Sequence, residues 1–284
     1  MTRTFSILPI LAFFLGTGLV LPLAGAQTPA CDALTGEARS VARYLVSTEH
    51  PYDCCDETIE KCIKARPDCQ LAVRLADFVC RRAAAGQDRT TIQRALQRRA
   101  TSMMRPGRTV KTDLAKSPMV GCSKAGVKVV AYVCLRCPFC SKMVPELYRE
   151  VTAGRLAGKV ALHLRLFPIK SHTNSMEANL AVAAAASLGR MWEYLLLVYR
   201  HFDAFEVGRL AGWATEAGMG AAAFEGALTS AAVKKSLVAS KKEGLRNGVV
   251  ATPTLFINGR KYVGDLDVET LVDVIEEESE AVGR

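Results

Sequence analysis

Two cysteines separated by Pro138 and Phe139 constrain this chain more than any other feature, because of what lies on either side of them. Val127–Val133 is an apolar run broken only by Lys128 and reads as a buried strand. Ser141 to Tyr148 reads as a helix, so Cys137 and Cys140 fall where a strand hands over to a helix N-terminus. Unpaired backbone N–H groups and the helix dipole meet there and stabilise a thiolate, which makes the first sulfur both a nucleophile and a good leaving group. Pro138 fits the first helical turn, where no N–H is needed. A bare C-x-x-C is equally a structural disulfide or half of a zinc site. The strand–dithiol–helix setting favours redox chemistry, and the four histidines are not spaced as ligand pairs, so neither a metal nor a cofactor is expected.

The N-terminus reads as a secretory signal over residues 1–26. Arg3 supplies the charge, Ile7 to Leu23 the apolar core, and Ala24-Gly25-Ala26 the cleavage site. The roughly 258 residues that follow suffice for one large domain and a small one. All ten cysteines lie in that part, an even number suited to an oxidising compartment, so the protein is expected to be periplasmic or otherwise exported, and soluble once cleaved. The net charge of +9 is concentrated between Arg81 and Lys116. Nucleic acid is an unsuitable target for an exported chain, and the simplest reading of this stretch is a solvated helix face.

Residues 27–104 read as a cysteine-rich helical domain whose structural disulfide candidates are Cys31, Cys54, Cys55, Cys62, Cys69 and Cys80. A helix over Cys69 to Cys80 would hold its end cysteines about 16 Å apart, beyond disulfide reach. With a short helix over Asp56 to Lys64, the spacing predicts a hairpin stapled near its turn by Cys62–Cys69. Cys80 would then pair with Cys54 or Cys55, and Cys31 with the one left over. A third helix is expected over Thr91 to Met103. Residues 105–126 read as a linker. Cys122 and Cys134 are candidates for a fourth disulfide, although an extended strand between them would hold them apart.

The second domain, 127–284, continues with a strand over Lys159 to Phe167 and His172 in a polar turn. A helical insertion follows at about 174–245, with Trp192 and Trp213 in its core. Thr254–Ile257 is a strand, Asn258-Gly259 a hairpin turn, and Asp267 to Glu278 an amphipathic helix with an acidic end, Glu276 to Glu280, expected to fray.

Several of these motifs in this order carry a resemblance. They are Pro118 to Gly121, Val127 to Val133, Cys137-Pro138-Phe139-Cys140, Lys170 to Asn174 with the alanine-rich helix after it, Gly189, Trp192-Glu193, and Thr252 to Gly259. Over roughly residues 115–280 the chain resembles DsbA-type thiol:disulfide oxidoreductases, which implies an α/β thioredoxin-like fold with an inserted helical subdomain. The resemblance implies that Cys137 is the exposed attacking thiol and Cys140 the buried resolving thiol. Pro253 would be a cis proline facing them, with Thr252, Pro138 and Phe139 bordering the substrate. Two departures stand out. A position that holds a buried proton-transferring acid in several relatives is Ala131 here, and the cysteine-rich domain is not part of the common fold.

The activity expected is dithiol–disulfide exchange on exported proteins with cysteines, as a disulfide-introducing oxidase recharged by a quinone-linked membrane partner. A reductase or isomerase kept reduced by a transmembrane electron donor is the alternative within the same chemistry. Client binding or assembly by the N-terminal domain is the alternative outside it. A homodimer is compatible with the sequence.

Overall fold

The computed structural model describes residues 29–104, 108–115 and 117–283; the signal sequence expected over 1–26 lies outside them. Five helices come first: α1 (Pro29–Asp32), α2 (Gly36–Thr48), α3 (Ile59–Ala65), α4 (Gln70–Ala84) and α5 (Arg89–Met104). Leu45, Ile59, Leu75, Phe78, Val79 and Ile92 form their shared core. Three disulfides staple it, in a pattern different from the expected one: Cys31–Cys80, Cys54–Cys69 and Cys55–Cys62. The difference begins with the start of α3. Its first residue is Ile59, so Cys55 lies in the preceding loop and curls back onto Cys62. Cys54 has a left-handed backbone (φ 64°), so the adjacent cysteines serve different partners, and Cys54 takes Cys69 at the start of α4. Cys80 lies near the other end of α4 and meets Cys31 of α1.

The stretch read as a linker is partly sheet. Thr109 bridges Arg260, and β1 (Met119–Gly121) pairs antiparallel with β3 (Val160–Leu166). Its three residues are too few to show an alternation. β2 (Val127–Val133) lies parallel to β3 and antiparallel to β4 (Thr254–Ile257), and β5 (Arg260–Lys261) closes the order β1-β3-β2-β4-β5. The β4–β5 turn has positive φ at both Asn258 (47°) and Gly259 (80°), as a type I′ hairpin requires.

Alternate residues of β2 serve opposite faces. Val129, Ala131 and Val133 join the main core with α6 (Pro138–Thr152) and α12 (Val268–Val282). Val130 and Tyr132 pack with Phe167, Val249 and Phe256. All residues of β3 except Arg165 are buried, because helices cover both sides. The insertion comprises α7 (Ser175–Ser187), α8 (Met191–Arg200), a 3₁₀ turn (Val207–Arg209), α9 (Leu210–Glu216), α10 (Ala221–Thr229) and α11 (Ala231–Arg246). It shares the main core with the sheet. Trp213 is buried in it against His201, while half-buried Trp192 packs on Tyr148 of α6.

Five arginines of α4 and α5 reach acidic groups near the C-terminus and do not form a simple solvated face. Arg82 and Arg98 reach Asp265 at 2.6 and 2.9 Å, Arg81 reaches Asp273 at 3.1 Å, Arg74 reaches Glu280 at 2.5 Å, and Arg99 pairs with Glu277. The acidic end of α12 is therefore held by ion pairs instead of fraying. Arg155 and Lys159, between α6 and β3, add contacts to Glu276.

Candidate active site

Cys137 is the N-cap of α6 and Pro138 its first residue, so the dithiol occupies the strand-to-helix junction. The Thr252–Pro253 bond is cis, and its loop lies against the dithiol. Cys137 Sγ donates to the Thr252 carbonyl at 3.1 Å. Because of that cover Cys137 is only 1% exposed, not the exposed thiol expected, and Cys140 is completely buried. The residues flanking the dithiol and the cis proline in the chain include exposed apolar ones: Phe139 is 71% exposed and Val250 83%, with Pro138 and Ala251 also exposed. Pro253 is buried and so is Thr252, whose Oγ1 has no hydrogen-bond partner.

The two thiols are pushed in opposite directions. Hydrogen bonding from Cys140 is the main cause that lowers Cys137 to about 5, assisted by backbone N–H groups of the first helical turn, against the opposing effect of burial. Burial, followed by the hydrogen bond to Cys137 and then the Cys137 charge, pushes Cys140 well above the usual thiol range. Ala131, which pairs with Leu164 and Leu255, puts no acid beneath them.

Cys122 and Cys134 are both free thiols. They flank the seven residues of β2, an extended strand of about 23 Å, which rules out the fourth disulfide. Cys134 Sγ lies against Ser175 Oγ (3.2 Å), His172 Nδ1 (3.4 Å) and Asn179 Nδ2 (3.6 Å), so His172 meets this third thiol and not the dithiol. Two neighbours carry no signal in the sequence. Arg136 is held between the rings of Phe202 and Phe205 and donates to the Phe202 carbonyl at 2.7 Å. Tyr199 of α8 is buried and donates to the Cys134 carbonyl at 3.3 Å. Among the described residues no cluster of three or more His, Cys, Asp or Glu side chains is placed to hold a metal ion.

A thioredoxin-like core, a helical insertion and a C-x-x-C dithiol at a helix N-terminus beside a cis proline define the DsbA-like thiol:disulfide oxidoreductase class. Residues 113–277 match the family model described as "Thioredoxin", and the chain belongs to that family. Among solved structures it is similar to the thiol-disulfide exchange protein alpha-DsbA2 from Wolbachia pipientis (18% identity, TM-score 0.52, covering 66% of this chain and 96% of that one). The catalytic domain of Proteus mirabilis ScsC is similar too (16%, TM-score 0.51, 66% and 98%), as is BdbD from Bacillus subtilis (16%, TM-score 0.51, 62% and 100%). These likenesses show a shared fold. Curated relatives include proteins named Na(+)/H(+) antiporter NhaA, from Mycolicibacterium gilvum (29% identical over 167 residues, 58% of this chain) and Herminiimonas arsenicoxydans (29% over 156 residues, 55%). The match spans only 27% and 24% of those proteins, about a quarter of their length.

Proposed function

We propose that this protein is a disulfide-introducing oxidase of exported proteins. The observation that carries the reading is the dithiol at the N-terminus of α6 with the cis Thr252–Pro253 loop against it, a setting that lowers Cys137 to about 5 and raises Cys140. A stabilised Cys137 thiolate favours the reduced enzyme and so makes the disulfide form a strong oxidant. A client thiolate attacks Cys137 Sγ, the Cys137–Cys140 bond breaks, and Cys140 leaves and takes up a proton. A second client thiolate attacks the client sulfur of the mixed disulfide and expels Cys137 as its thiolate. Two electrons pass to the enzyme, and a quinone-linked membrane partner removes them. Phe139, Val250, Pro138 and Ala251 form an apolar rim suited to unfolded clients, whose exposed side chains are apolar. Three disulfides and the N-terminal apolar segment support an exported location. The antiporter activity in the relatives' names belongs to proteins of which this chain spans about a quarter, and it is not carried over.

The test is the equilibrium of the Cys137–Cys140 pair with glutathione. A potential near about −120 mV supports the oxidase, whereas a value near about −270 mV replaces it with a reductase.

A further inference from the structure

We infer that the outward face of α11 docks this protein on an anionic lipid bilayer. The inference goes beyond the exchange chemistry proposed above and does not depend on its direction. α11 packs on β3, α7 and α10, and buries Val233, Leu237 and Gly244. With about 3.6 residues per turn, Lys234, Lys235, Val238, Lys242, Leu245 and Arg246 fall within roughly a third of the helix circumference. All six are exposed, and the two aliphatic side chains stand half in water, Val238 at 51% and Leu245 at 56%. The single acid of the helix, Glu243, lies off this face, buried and held by Arg165 at 2.9 Å and Tyr132 at 2.7 Å. Among the described residues no ion pair engages any of the four cations. The positive charge continues past the helix end, where Arg246 shares an open cleft with exposed Arg108 and Lys111. Asp113, on the same segment as these two, is an exposed carboxylate but leaves the face strongly positive.

The mixture of side chains identifies the partner. Lysines are flexible point charges, and they suit headgroups that move laterally to meet them better than the fixed carboxylates of a folded protein. Val238 and Leu245 lie among the cations, so they reach the upper acyl region once the cations meet the headgroups. Each Lys or Arg at an anionic surface contributes about fivefold in affinity. The location also has a consequence for the dithiol. The chain runs from Arg246 at the end of α11 through exposed Val250 to Thr252, whose carbonyl accepts from Cys137 Sγ. Docking by α11 therefore holds the cis-proline loop near the bilayer, where a membrane-bound electron acceptor resides.

The experiment floats the full-length protein with phosphatidylcholine vesicles, with or without roughly 30% phosphatidylglycerol, over a range of salt. Attachment through the apolar N-terminal segment does not need the anionic lipid, so the comparison isolates charge. Binding that requires phosphatidylglycerol and weakens as salt rises is expected. Lys235→Glu, Lys242→Glu and Arg246→Glu together are expected to lower the affinity roughly a hundredfold or more. Arg39→Glu, Arg43→Glu and Arg94→Glu, on α2 and α5, change the net charge equally and are expected to cost less than about threefold, because salt screens distant charges. Val238→Ser with Leu245→Ser is expected to weaken binding severalfold with an unchanged salt dependence. Equal losses from the two triple variants overturn the inference in favour of net charge alone, as does equal binding to the neutral vesicles. Unchanged binding in the serine variant removes the acyl contact and overturns it too. Retention on polyglutamate without vesicle binding reassigns the face to an acidic protein. Exchange with glutathione in solution is expected to be the same in the α11 triple variant and the wild type. Absent vesicle binding with intact exchange thus sinks this inference alone, whereas absent exchange sinks the functional reading and leaves this one standing.

Discussion

Cys137 and Cys140 sit on one helical turn, and their acidities separate because hydrogen bonds favour the Cys137 thiolate while burial disfavours the Cys140 thiolate. Cys140 is the largest cause of the lowered Cys137, so Cys140→Ala is expected to move the Cys137 titration up from about 5 toward the ordinary thiol range. Thiolate absorbance near 240 nm reads the midpoint, and an unmoved midpoint in the variant assigns the shift to the helix N-terminus alone. The linkage has a definite sign. The folded value lies below that of the unfolded thiol, so the stability this thiolate gives the reduced protein is complete above the unfolded value, about 8.5, and is lost as pH falls through about 5. The melting temperature of the reduced protein is therefore expected to fall between pH 7 and pH 5 relative to that of reduced Cys137→Ser; parallel curves would contradict this. The dithiol and Thr252-Pro253 are legible in the sequence because each is a local motif that needs no partner to be recognised. The burial of Cys137 and the approach of Tyr199 depend on which distant segments fold over the site, and no local spacing carries that.

At the scale of elements, local pattern and tertiary contact divide the same way. β2, β4 and the Asn258-Gly259 turn follow from apolar runs and turn chemistry. The cysteine pairing turned on where α3 begins and on the left-handed backbone of Cys54, neither of which residue spacing reveals. The glycine of α11 shows how closely that helix approaches the sheet. A Cβ at Gly244 would come within 2.7 Å of the Phe167 ring and 3.0 Å of Tyr132. Gly244→Ala gains helix propensity of about 1 kcal/mol, but overpacking costs about 1–3 kcal/mol. Net destabilisation in thermal unfolding is expected, and a stabilised variant would mean that α11 is free to shift outward. The arginines of α5 separate equally clearly. Arg99 is 1% exposed and pairs with Glu277 and Asp273, so Arg99→Ala strands buried carboxylates at a cost of about 3–5 kcal/mol. Arg98, half exposed at Asp265, should cost less than about 1 kcal/mol when truncated. Denaturant unfolding of the two variants checks the contrast, and comparable losses would place the docking energy elsewhere.

Across the whole molecule, charge that looks excessive in sequence is a docking device between two cores. The basic stretch and the acidic α12 are far apart along the chain, and each read alone suggests solvated or fraying structure. Together they form one interface, in which Arg74, Arg81, Arg82, Arg98 and Arg99 face Asp265, Asp267, Asp273, Glu276, Glu277 and Glu280. The interface reaches the fold through α12 and leaves the dithiol's own contacts to Thr252 and the first turn of α6. Removing residues 27–104 should therefore uncover like charges on α12 and lower the stability of the remainder, with partial recovery as salt screens their repulsion. The dithiol potential should stay within about 30 mV of the full-length value, because no group that shifts Cys137 is lost. Exchange with glutathione should persist for the same reason. If exchange with an unfolded cysteine-bearing protein falls while exchange with glutathione does not, the stapled domain holds the client. If both persist, its role is to brace α12. A large change in potential would contradict the separation of the two sites.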